Sequence, residues 1–139
     1  MQTFVPRSES YAASVAMLDE KRLQKQVAEA AQLLRQLEEF PHGGWSHHPA
    51  VHMWLFHDQC LFNYFWACID LYGTHKEQYN VLRQFPELDR DDSYPPWWGE
   101  ESVHASHAQA LTAKWNGGDY VYVWPAITGF DSYELREGV

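Results

Sequence analysis

The chain has 139 residues, enough for one domain with a buried core, and seven Trp, eight Tyr and seven Phe raise its aromatic content to 16%. Nineteen acidic residues against ten Lys and Arg give a net charge of −9 at pH 7, which excludes a uniformly basic nucleic-acid binder and confines any polyanion site to a local groove. No apolar run reaches the roughly 18 residues of a membrane span, MQTFVPRSES lacks a signal-peptide core, and Cys60 and Cys68 are too far apart along an expected helix to bridge, so the sequence reads as a cytoplasmic monomer with reduced thiols, no cofactor and no membrane contact.

Residues 1–10 are expected to be irregular, punctuated by Pro6. A long first helix follows over about 13–40, where Leu23, Val27, Ala30, Leu34 and Leu37 recur in steps of three and four and form one apolar stripe. Pro41, two glycines and a polar cluster end it, and Pro49 suits the first turn of a second helix over about 49–73, apolar on most faces and stopped by Gly73. A short helix over 76–85, a proline-rich acidic loop over 86–99 and a last helix over about 100–115 complete the pattern. YVYVWP (120–125) is β-prone but has no partner strand, so it is expected to be an extended aromatic segment packed on the helices. The expected architecture is all-α: a compact single domain over 1–139, built of three main helices with long loops.

Away from the apolar stripe, Arg22, Lys25 and Glu29 fall in one narrow strip, since steps of three, four and seven stack on a helix surface. A carboxylate at the end of a basic strip suits a site that binds an anion and moves a proton. The competing reading is a Lys25–Glu29 pair on a solvated helix, worth about 0.3–0.5 kcal/mol. Arg7, Lys21 and Arg35 join Arg22 and Lys25 in the first quarter of the chain, while the acids gather at Glu38–Glu39, over 87–92, at Glu100–Glu101 and in the tail. The histidines form two helical pairs, His48 with His52 and His104 with His107, read as phosphate donors or packing groups rather than metal ligands, since no HExxH motif or suitably spaced Cys accompanies them. There is no nucleophilic Ser elbow, Cys/His signature or phosphate-binding Gly-rich loop.

In chain order, LDEKRLQKQVAEAAQLL, GGWSHHPAVHMW and PPWWGEESVHASHAQAL with a late VWP resemble the bacterial and phage branch of the pyrimidine dimer DNA glycosylases, from MQTF to about Pro125. The resemblance implies a helical fold and a bifunctional glycosylase and AP lyase acting on double-stranded DNA with damaged or modified pyrimidines. In that chemistry the neutral N-terminal amine attacks the sugar C1′ and expels the base, and a glutamate on the first helix supports strand cleavage. Counting from the shared Leu23, that glutamate is Glu29. Gln2 is a bulky neighbour that opposes removal of Met1, so both Met1 and Gln2 are candidate amines. Arg22, Lys25, His48, His52, His104, His107, Lys114, Tyr120 and Trp124 are the expected DNA contacts. Two other readings stay open: a non-catalytic nucleic-acid, nucleotide or protein binder on the same fold, and a histidine-metal hydrolase.

Overall fold

The computed structural model describes residues 2–45, 47–118 and 121–125, the side chains of 114–116 excepted. Among these residues it holds six helices and no strand. Helix α1 is Tyr11–Val15, α2 Glu20–Glu39, α3 Pro49–His52, α4 Asp58–Tyr72, α5 Lys76–Gln84 and α6 Glu101–Asn116.

Two of the three long helices expected from the sequence are each divided by a turn. In the first, the Asp19 carboxylate accepts the Arg22 backbone N–H, and Glu20 adds a negative charge to the new first turn. An aspartate three residues before a free N–H favours starting a helix over continuing one, so α1 and α2 are separate. In the second, the carbonyl of Met53 accepts the Trp97 indole N–H instead of continuing a helical ladder. Phe56 turns the chain through a positive φ of 66°, and α4 restarts with Asp58 in its first turn. Gly73 ends α4 at φ 99°, where a side chain would be strained.

The stripe on α2 faces inward as its spacing predicts: Leu23, Val27, Ala30 and Leu34 are buried, with Leu37 at the margin. Its principal partner is α4, which contributes Leu61, Phe62, Phe65 and Cys68. Arg35 ties α2 to α5 through Glu77 at 2.8 Å and Gln84 at 2.8 Å. This removes it from the basic surface that the sequence suggests. Glu77 is mostly buried; burial opposes its charge, but Asn80 and Arg35 together hold its carboxyl below the usual range. Arg35→Leu is expected to destabilise the fold by about 1–3 kcal/mol, because it leaves that carboxylate short of a partner. Urea unfolding would measure this, and adding Glu77→Gln should recover part of the loss.

The first residues of the chain form a central element. Residues 2–5 run extended between helices, and side chains stand where neighbouring strands would stand in a sheet. On one edge, Gln26 Nε2 donates to the Gln2 carbonyl at 2.7 Å while its Oε1 accepts the Phe4 N–H at 2.8 Å. The Tyr64 hydroxyl donates to the Phe4 carbonyl at 2.7 Å. On the other edge, the Val5 N–H donates to His107 Nδ1 at 2.9 Å, and the Val5 carbonyl lies 2.6 Å from His104 Nδ1. Trp54 Nε1 donates to the Thr3 hydroxyl at 2.9 Å. The pattern follows from extended backbone, in which the polar groups of successive residues point to opposite sides. Buried backbone must be hydrogen-bonded, and here helix side chains do it.

Candidate active site

The N-terminal segment forms one wall of a cavity of about 550 Å³ whose other walls come from the start and middle of α2. Gln2 and Phe4 line it on one side, and Asp19, Lys21, Arg22, Lys25, Gln26 and Glu29 on the other. The helical period makes this possible, since residues 22, 25, 26 and 29 occupy adjacent positions on one face. Glu29 is half-buried, and its Oε2 is shielded from solvent with no hydrogen-bond partner among the described residues. Lys25 makes no ion pair with it among those residues, so the solvated Lys25–Glu29 pair is not the arrangement found. A buried carboxylate oxygen without a donor is uncommon, and this one belongs to a residue of the cavity wall.

The cavity is less basic than the sequence suggests. Arg22 Nη1 sits 2.6 Å from the Asp19 carboxylate that also caps α2, which partly neutralises it. Lys21, Arg22 and Lys25 against Asp19 and Glu29 leave a single net positive charge at the opening. A second cavity of about 540 Å³ lies between α1, α4 and the 90–94 loop, but its charged lining is Asp70, Asp91 and Asp92 with Arg90, and Arg90 is paired with Asp70 at 2.6 Å. That acidic setting does not suit a phosphate backbone.

The family model of the pyrimidine dimer DNA glycosylases matches residues 1–83. The chain belongs to the pyrimidine dimer DNA glycosylase family. No match was found among curated proteins or among solved structures. The family match covers the N-terminal segment and α1 to α5 up to Arg83, so it includes the whole cavity lining. It leaves out α6 and the aromatic segment, which the motif resemblance had included.

For the other candidate residues of this glycosylase-family chain, the structure separates cavity from core. His104 and His107 are 2% and 0% exposed, so the expectation that they offer N–H groups to a phosphate is corrected. Gly99 N–H donates to His104 Nε2 at 3.0 Å, which places the ring proton on Nδ1 facing the Val5 carbonyl. His107 accepts at Nδ1, and burial, aided by the nearby His104, pushes it down to about 3, so it is neutral at physiological pH. His52 is also buried, edge-on to Phe40 at 5.8 Å, and does not reach the surface. These positions hold the fold, because helical spacing places their rings inward.

His48 caps α3 by accepting the Ala50 N–H at 3.0 Å, and burial lowers its pKa. It stands between two tryptophans, 5.7 Å from the exposed Trp45 ring and 6.4 Å from Trp124. Trp124 in turn contacts Tyr122 at 5.4 Å, and Tyr122 lies 6.3 Å from Phe4 of the cavity wall. Of the sequence candidates, Gln2, Arg22, Lys25 and Glu29 share the cavity, while His48 and Trp124 belong to this ring series. Met1, Tyr120 and the Lys114 side chain lie outside the described residues. Sequence reasoning missed Gln26, Tyr64 and Trp54. For Gln26 there was a signal: a polar residue placed beside the apolar stripe and its neighbour Val27. Among the described residues no group of three or more His, Cys, Asp or Glu is arranged to hold a metal ion, and two of the histidines considered for one bind the N-terminal backbone instead.

Proposed function

We propose that this chain is a DNA glycosylase with AP-lyase activity on damaged or modified pyrimidines in double-stranded DNA, using the amine at the start of the chain and Glu29. The observation that carries the reading is that Gln2 and Glu29, whose Oε2 has no hydrogen-bond partner among the described residues, line one cavity edged by Lys21, Arg22 and Lys25. An α-amine titrates near pH 7.7–8, so a useful fraction is neutral and nucleophilic at pH 7 without special tuning. Its nitrogen forms a bond to C1′ as the glycosidic bond breaks, and the base leaves with a proton. Opening of the C1′–O4′ bond then gives a protonated Schiff base. The Glu29 carboxylate stabilises that cation and accepts the C2′ proton, whose loss expels the 3′ phosphate and cuts the strand.

The decisive experiment is borohydride trapping of the purified full chain on UV-irradiated and on abasic duplex DNA. A covalent adduct is expected on both, because reduction captures only an amine joined to the sugar. No adduct on either sinks the lyase reading and favours a non-catalytic binding protein, which the low positive charge of the cavity would suit. DNA affinity is expected to fall steeply with salt, at about 0.9 logarithmic units per phosphate neutralised. Lys25→Ala should flatten that slope by about one unit while preserving preference for the lesion, as read by fluorescence anisotropy at several ionic strengths.

A further inference from the structure

The cavity explains what surrounds a substrate but not what keeps the start of the chain beside it. Chain termini ordinarily fray, because few contacts offset the entropy of ordering them. Here six side-chain groups bind residues 2–5. Gln26 pairs with the Gln2 carbonyl and the Phe4 N–H, and that double contact fixes which way its amide faces. Tyr64 supports both partners, donating to the Phe4 carbonyl and lying 3.0 Å from Gln26 Oε1. His107 and His104 bind the N–H and carbonyl of the single residue Val5, and Trp54 binds Thr3. Gln26, Tyr64, Trp54, His104 and His107 are all almost fully buried.

A hydrophobic staple would have fixed this segment with less desolvation, because every buried polar group must find a partner. The polar solution specifies register. Slipping the segment by one residue would turn each N–H and carbonyl to the wrong edge, away from Gln26 on one side and the histidines on the other. Gln2 is thereby held in the cavity wall, and the peptide bond keeps the preceding residue within about 3.8 Å, Cα to Cα.

We propose that Gln26, His104 and His107 are positioning residues that hold residues 2–5 as a fixed arm and so set where the first amine of the chain stands relative to Glu29. This rests on the amine-and-glutamate reading for its catalytic consequence, but not for its geometric one.

The test uses the full chain with Gln26→Met and His107→Leu, which keep side-chain bulk and remove the hydrogen bonds. His107→Asn serves as the rescuing variant, because its amide oxygen can stand where Nδ1 accepts from Val5. The expected result is a borohydride trapping rate on saturating abasic DNA about 100-fold lower in the first two variants. The DNA dissociation constant should be unchanged, and much of the rate should return in His107→Asn. Parallel losses of binding and trapping, or trapping at the wild-type rate, overturn the proposal. A readout independent of catalysis is the pKa of the α-amine, taken from the pH dependence of its reductive methylation. Glu29→Gln should lower it by about half a unit in the otherwise wild-type chain and leave it unchanged when Gln26→Met is also present. If the wild-type chain forms no adduct, the glycosylase-lyase reading fails while this coupling still decides the arm. Absence of coupling in the wild-type background overturns it, and so does coupling that survives Gln26→Met.

Discussion

Glu29→Gln is expected to lower strand cleavage at an abasic site by about 100- to 10,000-fold while changing DNA affinity little. The substitution keeps the shape of the side chain and removes its charge and its basicity. Oε2 has no hydrogen-bond partner among the described residues, so the fold loses no bond there. Glu29 is half-buried at the cavity wall, and the neutral amide relieves rather than adds a desolvation penalty. Thermal stability should therefore stay level or rise while cleavage collapses. Single-turnover cleavage of a labelled abasic duplex and anisotropy binding on the same preparations would measure both effects. If the two fall together, Glu29 supports the cavity wall and takes no part in the chemistry.

Acidification should unfold the protein through His107. Burial pushes this imidazole down to about 3 from an ordinary 6.5, so between those values the unfolded chain binds a proton that the folded chain excludes. Stability is therefore intact above about pH 6.5 and lost progressively as the pH falls toward 3. Between pH 7 and pH 4 the loss from this one group is about 3 kcal/mol, a large part of the stability of a small domain. Glu77 adds a loss of the same sign at lower pH, since its carboxyl is held below the usual range in the folded state. The His107 contribution can be isolated by comparing urea unfolding of the wild type and His107→Asn from pH 7 to pH 4. The variant should lose distinctly less stability over that range. Superimposable pH profiles would mean that His107 is not held neutral. Protonation at Nδ1 also removes the acceptor for the Val5 N–H, so the N-terminal segment should be among the first parts to lose amide protection.

On the proposed function, the ring series from Trp45 through His48, Trp124 and Tyr122 to Phe4 offers aromatic surface for a displaced base beside the cavity, because stacking tolerates any base. It also bears on the charge of −9. With one net positive charge at the cavity opening, the proposed function gives stacking and a distorted, easily opened step a share in recognition beside the phosphate contacts.

Periodicity determined a good deal by itself. The buried stripe of Leu23, Val27, Ala30 and Leu34, the shared face of Arg22, Lys25 and Glu29, the stop at Gly73 and the helical class were legible because each depends on residues three to seven apart, or on one residue's backbone freedom. The Asp19 cap was equally local, but the expected first helix ran through it from about residue 13. The tertiary structure alone decided the rest. Whether Met53 continues a helix depends on Trp97, 44 positions later, and whether Arg35 faces a ligand or Glu77 depends on how α5 folds back. His104 and His107 have the same i,i+3 spacing whether they face solvent or core, and only their contact with Val5, about a hundred residues earlier, shows that they bind the chain's own backbone. A polar side chain can be satisfied by water, ligand or protein, and the choice is made by long-range packing, which local spacing does not encode.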